Sequence, residues 1–569
     1  MSVTHIKPKK LRIGDLLIEH KVISQEQLTQ ALADQKKSGR KLGRVLVDNG
    51  YLTEEQLLDF LARQLGIPYI DLKRYPLKPE TVRLIPEVHA RRFRVLGLED
   101  ARDGLLIGMA DPTDLFAYDE LSRVLGRPLK LAVVSETDLL KTVDIMYRRT
   151  EEISGLAQEL DQEMSAYDVD LGQLAADGLT DAPVVKLIQT VFEDAVQVNA
   201  SDIHFEPDER ELRIRFRQDG VLRVQTTAER RIASAVVSRL KLMAGLDISE
   251  KRLPQDGRFN VRVRDQSVDV RLSTMPVQYG ESAVMRLLNQ SAGALDLEQL
   301  GMPVDALARF RRMIHSPHGM VLVTGPTGSG KTTTLYGALK ELNKPSAKVI
   351  TVEDPIEYRL TGINQVQVNT KIDLSFARVL RAVLRQDPDI VLVGEMRDQE
   401  TAEIGLRAAM TGHLVLSTLH TNDALSTPAR LLDMGAAPFL LAASLRGIVS
   451  QRLVRKICES CATPHELDAP MRAVAQAELG NLDGIVFKRG RGCTYCNNSG
   501  YQGRIGVYEL VEMDEATLNA LHRGDPIAFG EAVRRQPGYV SLKRGVLDLA
   551  VRGITTMDQV MRVTFGLED

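Results

Sequence analysis

Residues 320–333 join an apolar segment to a glycine-rich turn and a helix-forming stretch, MVLVTGPTGSGKTT. This GxxxxGK[ST] pattern predicts a phosphate-binding loop, in which backbone N–H groups surround the phosphates of a nucleotide. Lys331 is expected to reach the β- and γ-phosphates, and the Thr332 hydroxyl to hold Mg²⁺. The predicted ATP-binding residues are Gly325, Pro326, Thr327, Gly328, Ser329, Gly330, Lys331, Thr332 and Thr333.

Two later segments supply carboxylates close to apolar runs. PDIVLVGEMRD (388–398) ends a predicted strand at Glu395, which could hold Mg²⁺ through water or polarise the attacking water. ITVEDPIEY (350–358) brings Glu353 and Glu357 together at a tight turn. The alternative for Glu395 is a solvated acid at a strand end, and the apolar run before it argues against that alternative.

Two histidines, His413 and His420, flank a third predicted strand in TGHLVLSTLHTND (411–423). A single histidine at such a place is more often structural. Because both follow the two acidic segments in order, the sequence favours a role for them near the γ-phosphate.

The order of these four segments resembles that of the type II secretion / type IV pilus assembly ATPase family. The resemblance covers the chain from about residue 180 onward and implies a hexameric motor with a RecA-like domain. It also implies that arginines reach the nucleotide at Arg271, Arg286, Arg381 and Arg385, where a guanidinium could stabilise the charge on the transferring phosphoryl group. Pairing with local acids is the alternative for each arginine.

The chain has four cysteines, arranged as two C-x₂-C pairs: Cys458, Cys461, Cys493 and Cys496. Two such pairs can close a tetrahedral sulfur site around a structural zinc ion. Two disulfides or a redox-active pair are the alternatives, and the doubled spacing favours zinc. The family resemblance implies that such a module marks assembly ATPases and faces the platform protein of the inner membrane, which favours extension or export over retraction.

The N-terminal region contains a tandem repeat, at 12–35 and 41–64, with a period of 29 residues. Each copy contains a capping box, Ser24-x-x-Gln27 or Thr53-x-x-Gln56, which predicts the start of a helix. Leucines then recur at helical spacing, so each repeat is expected to form a small helical hairpin. A duplicated docking or packing module is the simplest interpretation, because most leucines at this spacing lie in a core.

The repeats also resemble an N-terminal cyclic-di-GMP-binding domain of the MshEN type, whose pattern opens with Arg-Leu-Gly and ends with glutamine. The resemblance implies ligand contacts in the first repeat at Arg12, Ile13, Gly14, Leu17, Leu28, Leu32 and Gln35, and in the second at Lys41, Leu42, Gly43, Leu46, Leu57, Leu61 and Gln64. Lys41 replaces the second arginine and removes a planar guanidinium. Asp111 is a further expected contact, with a turn residue as the alternative.

The composition limits the remaining classes of function. The formal net charge is −3 and no segment approaches 18 apolar residues, so neither general nucleic-acid binding nor a transmembrane helix is expected. No signal peptide is recognised at the N-terminus. A DNA translocase, which any RecA-like hexamer could be, therefore has little support. The expected location is cytoplasmic, peripheral to the inner membrane through partner proteins.

The predicted fold is a multidomain α/β protein: a P-loop RecA-like core, a small αβ (PAS-like) domain before it, an N-terminal helical-repeat domain and a zinc-binding tetracysteine subdomain. The expected boundaries are 1–148, a linker at 149–180, 181–295, 296–455, 456–500 and a helical part at 501–569. The expected function is a homohexameric ATPase, using ATP and Mg²⁺ with structural Zn²⁺, that drives pilus or pseudopilus assembly under control of cyclic-di-GMP. The alternative is the same motor with repeats that only dock the inner-membrane assembly complex.

Overall fold

The structure is a computed structural model that describes residues 17–18, 22–38, 42–101, 103–147, 150–166, 181–263, 266–289 and 295–566. It divides into two compact units, residues 1–148 and 149–569. Among the residues described, no helix combines the length and the apolar character needed to cross a membrane.

The first unit begins with helices that the repeats predict. They are α1 (Gln25–Ser38), α2 (Leu42–Asp48) and α3 (Glu54–Leu65). Both capping boxes form: the Ser24 and Gln56 amides bond to the side chains of Gln27 and Thr53, at 2.8 Å and 3.2 Å. The helices share an apolar core formed mainly by leucines. The predicted helix starts are thus confirmed at both capping boxes.

The rest of the first unit is a small αβ layer. Its helices are α4 (Pro79–Val82), α5 (Glu87–Phe93), α6 (Leu115–Leu125) and α7 (Glu136–Met146), and its strands are β1 (Val95–Ala101), β2 (Gly104–Met109) and β3 (Leu129–Val133). β1 pairs antiparallel with β2, and β2 pairs parallel with β3. The antiparallel pair forms a hairpin through the short turn between Ala101 and Gly104.

The second unit opens with two helices, α8 (Thr150–Ala166) and α9 (Asp181–Gln197), packed on a six-stranded antiparallel sheet. The strands are β4 (Asp202–Pro207), β5 (Glu211–Gln218), β6 (Val221–Glu229), β7 (Gln255–Val263), β8 (Gln266–Val277) and β9 (Gly280–Asn289). Their order in the sheet is β6-β5-β4-β9-β8-β7. A third helix, α10 (Ile232–Met243), shares the apolar core that α8 and α9 form with this sheet. We call this the six-stranded domain.

Helix α8 differs from the linker expected at 149–180. Ile153, Ala157 and Leu160 are buried in the core of the six-stranded domain. These positions lie on one face of a helix, at i, i+4 and i+7, and burying that face stabilises the helix. Residues 167–180 of the expected linker lie outside the described residues.

The core that contains the phosphate-binding motif is a seven-stranded sheet in the order β12-β11-β13-β14-β10-β15-β18. Its strands are β10 (Gly319–Thr324), β11 (Val349–Glu353), β12 (Asn364–Gln367), β13 (Ile390–Val393), β14 (Leu414–Leu419), β15 (Leu445–Ile457) and β18 (Tyr501–Glu512). The pairs are parallel except β15 with β18. Its helices are α11 (Val304–Ile314), α12 (Lys331–Leu342), α13 (Phe376–Val383), α14 (Gln399–Met410), α15 (Thr427–Asp433) and α16 (Pro438–Ser444).

The expected boundaries at 455 and 501 do not follow the sheet. β15 continues to Ile457, and β18 belongs to the same sheet, so residues 501–512 are a strand of the seven-stranded sheet and not part of a helical tail. Between β15 and β18 the chain forms the tetracysteine subdomain, with β16 (Ala462–Pro464), α17 (Ala469–Leu479) and β17 (Lys488–Gly490). After β18 come α18 (Glu515–His522), α19 (Pro526–Arg534), α20 (Leu542–Val551) and α21 (Met557–Phe565).

Candidate active site

The phosphate-binding loop connects β10 to α12, as the sequence predicts. All six residues of β10 are buried, which fixes the point at which the loop begins. Gly325 and Gly330 have φ of +144° and +89°, and a Cβ on them would lie 2.5 Å from the Gln451 carbonyl and 2.7 Å from its side-chain amide. Gln451 therefore requires glycine at both places. Gly330 precedes α12 without a side-chain cap, so the first N–H groups of a 12-residue helix face the loop.

Lys331 is held inside this loop. Its Nζ donates to the carbonyl oxygens of Gly325 and Pro326, at 2.8 Å and 3.0 Å. Burial lowers the pKa of Lys331 to about 8, and the positive charge of Arg452 acts in the same direction while Glu395 opposes it. A partly desolvated ammonium interacts more strongly with a phosphate than an exposed one does.

Glu353 and Glu357 have different surroundings although they are four residues apart. Glu353 is buried and accepts hydrogen bonds from Tyr336, Thr351 and Gln365. Burial raises the pKa of the Tyr336 hydroxyl, with the charge of Glu353 adding to the effect. Through the bond from Tyr336, the Glu353 carboxylate connects β11 to α12 and stabilises their packing.

Glu357 instead contacts the six-stranded domain. Arg271 on β8 lies 3.0 Å from the Glu357 carboxylate and donates to the carbonyl of Ile356 at 2.9 Å. Burial lowers the pKa of Arg271, with Glu357 acting in the opposite direction. The structure thus brings an arginine predicted from the family resemblance to one of the predicted acids.

Glu395 lies just beyond the end of β13 and is mostly buried, with 14% of its side chain exposed. One carboxylate oxygen pairs with Arg397, and the other lies 3.4 Å from His420 Nε2. Since β13, β14 and β10 are parallel, Glu395, His420 and the phosphate loop all follow carboxyl ends of strands and share one edge of the sheet. The sequence prediction thus identifies residues that the fold collects at this edge.

His413 lies elsewhere. It precedes β14, and its carbonyl accepts from the amide of Gly319 at the start of β10, so it marks the amino edge of the sheet. A six-residue parallel strand separates the two edges by roughly 20 Å. Its ring contacts the Ala408 carbonyl and the Thr411 hydroxyl at 2.9 Å and 3.3 Å. The structure therefore separates His413 from the phosphate loop of its own chain, in contrast to the predicted role near the γ-phosphate.

The remaining predicted arginines pair locally. Arg286 lies 3.1 Å from Asp202, beside Arg271 in a cavity of about 340 Å³ on the open face of the six-stranded sheet. Arg381 pairs with Glu400, and Arg385 donates to the Arg381 carbonyl at 2.8 Å. The alternative of pairing with a local acid is what the single chain shows for Arg286 and Arg381, whereas Arg385 contacts a backbone carbonyl.

Sequence analysis missed Gln451 and Arg452 of β15. The Thr334 hydroxyl donates to the Gln451 side chain at 2.7 Å, and Arg452 is close enough to lower the pKa of Lys331. β15 pairs in parallel with β10, so its residues lie beside the phosphate loop although they follow it by more than 100 positions. No phosphate-binding motif includes them, which left no signal to find them in one sequence.

The four cysteine sulfurs form a compact cluster in which every pair lies within 4.8 Å. Sulfur–sulfur distances of 3.6, 3.7 and 3.8 Å are far too long for disulfides and equal the roughly 3.8 Å edge of a tetrahedron with metal–sulfur bonds of about 2.3 Å. The amides of Cys493 and Gly500 donate to the Cys496 sulfur at 3.2 Å. A bond from Cys458 and these amides lower the pKa of the Cys496 thiol, whereas burial raises the pKa of the Cys461 thiol, so the spacing of the sulfurs is what indicates a metal site. The four residues therefore fit Zn²⁺.

In the repeats, most of the motif leucines are core residues. Leu17, Leu28, Leu46 and Leu57 are buried together, and a Cβ on Gly43 would lie 2.8 Å from the Leu57 side chain. The matched pairs Leu32 with Leu61 and Gln35 with Gln64 remain at the surface to differing degrees. Leu32 and Gln64 are exposed, whereas Gln35 and Leu61, like Leu42, are half-buried. The predicted contacts Arg12, Ile13, Gly14 and Lys41 lie outside the described residues.

Asp111 forms a local turn. Its carboxylate accepts from the amide and the hydroxyl of Thr113, at 3.2 Å and 2.6 Å. This is the Asx-turn geometry expected of the alternative interpretation.

Comparison with known proteins decides the family. Residues 177–562 match the pattern of the family described as "Type II/IV secretion system protein". The chain belongs to that family. Residues 65–153 match the MshEN domain, a match that begins after the two repeats. Members of this family hydrolyse ATP, and the chain is therefore a pilus assembly or secretion ATPase.

Relatives come from both kinds of machine. The chain is 42% identical to the type IV pilus assembly ATPase PilB of Myxococcus xanthus, over 97% of this chain and 98% of the relative. It is 45% identical to type II secretion system protein E of Dickeya dadantii, over 85% of this chain and 98% of the relative. The solved structure of the ATPase DotB of Legionella pneumophila is 22% identical to this chain, with a TM-score of 0.51. The match covers 67% of this chain and 96% of DotB, and it supports the fold.

Proposed function

We propose that this chain acts as a homohexameric motor in which ATP hydrolysis moves the six-stranded domain and thereby drives assembly of a type IV pilus or of the pseudopilus of a type II secretion system. The contact of Arg271 with Glu357 carries this proposal. It joins the six-stranded domain directly to the turn after β11, at the sheet edge that holds the phosphate loop. A change in charge at the nucleotide can therefore reach that domain through one ion pair.

The residues at this edge suit phosphoryl transfer. The N–H groups at the start of α12 and the Lys331 ammonium would bind the phosphates, and Glu395 would orient the attacking water, with His420 beside it. Thr332 and Glu395 would hold Mg²⁺, which supplies positive charge to the β- and γ-phosphate oxygens. In the hexamer, Arg271, Arg286, Arg381 and Arg385 would add charge stabilisation.

Lys331→Ala tests this assignment. The variant is expected to lose ATP turnover by on the order of a hundredfold or more while remaining folded, because it removes a charge aimed at the transferred phosphate. Lys340→Ala on the same helix is the matched control: Lys340 pairs with Asp296 at the surface, so turnover should stay near wild type. Full turnover in Lys331→Ala would exclude the proposed site.

We infer that the N-terminal repeats bind cyclic-di-GMP. Supporting this, the two copies begin their second helices with the same capping box, and both leave leucine and glutamine partly or fully accessible at matched positions, Leu32 with Gln35 and Leu61 with Gln64. Two matched surfaces suit a ligand with two matched guanine halves. Docking to the inner-membrane complex without ligand binding is the alternative, and calorimetry with full-length protein distinguishes the two.

The tetracysteine subdomain is proposed to hold one structural Zn²⁺ and to contact the platform protein of the machine. Supporting this, three of its four cysteines are buried and the fourth is half-buried, which leaves no open coordination position of the kind a catalytic zinc needs. The ion would therefore fix the shape of the subdomain and take no part in hydrolysis.

A further inference from the structure

The loop after β14, residues 420–427, is fixed at several points. It begins with His420, which lies against Glu395. Within the loop, the Ser426 amide donates to the Asp423 carboxylate at 2.7 Å, and the Thr427 hydroxyl donates to the Asp423 carbonyl at 3.0 Å. The direction in which His420 leaves the strand therefore depends on how this loop is held.

One anchor of the loop is Glu509, on β18. Its carboxylate accepts a hydrogen bond from the amide of Ala424 at 2.9 Å and another from the Tyr539 hydroxyl. The side chain is almost fully buried, and only 2% of the residue is exposed. Burying a carboxylate costs free energy unless its charge is compensated, so a buried carboxylate far along the chain from every catalytic motif needs an explanation.

The bonds from Tyr539 and Ala424 act most strongly against the rise in the pKa of Glu509, and Arg452, the second fixed point of the loop, adds a smaller electrostatic contribution. Arg452 donates to the carbonyl of Asn422 at 2.6 Å, and the charges of Asp423 and Glu509 both act on it. It directly follows Gln451, which packs against the phosphate loop. Arg452 thus connects the phosphate loop to the loop that carries His420. Glu509 contacts the same loop through the Ala424 amide.

We propose that Glu509 is a positioning residue for ATP hydrolysis: by holding the Ala424 amide, it keeps His420 against Glu395. It touches neither substrate nor reacting atoms. The proposal rests on the ATPase function and adds to it a residue that no nucleotide-binding motif contains. Loss of the anchor should lower turnover and leave ATP affinity nearly unchanged, since the phosphate loop itself keeps its contacts with Gln451.

The groups facing Glu509 set its response to pH. Burial raises the pKa of Glu509, and the bonds from Tyr539 and Ala424 together with Arg452 act against that rise, while Asp423 adds to it. Arg534 faces Tyr539 from α19. Acid should therefore protonate Glu509 at a higher pH than an ordinary glutamate, and turnover of the wild type should fall there.

The experiment compares Glu509→Gln with Glu512→Gln in the full-length hexamer. Glu512 lies three residues further on β18 and pairs with Arg309 and Arg312 on α11, away from the loop. Calorimetry counts the functional ATP sites, and kcat is expressed per site. We expect Glu509→Gln to lose about tenfold in kcat with KM for ATP within twofold, and to lose the acid inflection, while Glu512→Gln matches wild type.

Tyr539→Phe provides a milder variant should Glu509→Gln fail to fold. It removes one hydrogen bond to the carboxylate and should lower kcat per site by two- to threefold. Unchanged kcat per site in Glu509→Gln, or in Tyr539→Phe where the first variant is unfolded, would overturn the proposal, as would an equal loss in Glu512→Gln. Wild-type protein without ATP turnover would instead contradict the ATPase function itself.

Discussion

Three glutamates lie near the phosphate loop, and their hydrogen bonds separate their roles. Glu353 accepts hydrogen bonds from three side chains, and Glu357 forms an ion pair with Arg271. Glu395 instead lies beside His420 and the exposed Arg397, and the described contacts bring no structural donor of the Tyr336 or Arg271 kind to it. A carboxylate that is fully used by structural donors makes a poor base, so Glu395 is the acid best suited to activate water.

Glu395→Gln should therefore abolish hydrolysis and spare binding. The amide keeps the shape of the side chain but cannot take up a proton, so we expect kcat to fall by on the order of 10²–10⁴. Binding of a non-hydrolysable ATP analogue, measured by calorimetry, should remain within a few-fold of wild type.

Glu403→Gln is the matched control for that variant. Glu403 pairs with Arg407 on the exposed face of α14, a surface pair that contributes less than about 1 kcal/mol. Its kcat should equal that of wild type. Substantial turnover in Glu395→Gln would assign water activation to another group at the same edge.

At the scale of elements, the sequence predicts those features whose geometry depends on residues close together along the chain. The phosphate loop, the capping boxes and the paired cysteines each lie within a short segment whose geometry follows from residue type. The position of His413 at the opposite edge from the phosphate loop does not follow from the sequence, because order along the chain does not say at which edge of a sheet a residue lies. Helix α8 was missed because its apolar face lies in an otherwise polar segment, and β18 because its partner strand lies more than 40 residues before it. Pairings of that kind depend on tertiary structure.

The tetracysteine subdomain allows a test at the same scale. Cys461→Ser should release zinc, since three sulfurs cannot complete the closed site, and should expose the segment between β15 and β18 to proteolysis. Elemental analysis should give one zinc per wild-type chain and much less in the variant. Glu459→Gln, in the same C-x₂-C turn, should keep its zinc. Wild-type protein purified without chelators and free of zinc would contradict this prediction.

At the scale of the whole molecule, contacts within the second unit connect its parts in a ring. The six-stranded domain contacts the ATP site through Arg271, and its β5–β6 hairpin contacts the tetracysteine subdomain, where Arg223 donates to the Asn497 carbonyl at 3.1 Å. Asp219 of the same hairpin accepts from the Gly503 amide at 3.0 Å, at the start of β18. β18 in turn carries Glu509. A displacement of the six-stranded domain during hydrolysis would thus also displace the tetracysteine subdomain, which is proposed to contact the platform protein.

Regulation by cyclic-di-GMP is the prediction that belongs to the full-length chain. Arg12→Ala should weaken binding at least tenfold, since it removes the one guanidinium that the two motif openings contain. Lys41→Arg should strengthen binding several-fold, because it restores a guanidinium at the opening position of the second repeat. Arg63→Ala, which removes an exposed pair with Asp59 and is not one of the predicted ligand contacts, should leave the affinity unchanged. Titration calorimetry on full-length protein measures all three, and an absence of binding heat in the wild type would favour repeats that only dock a partner.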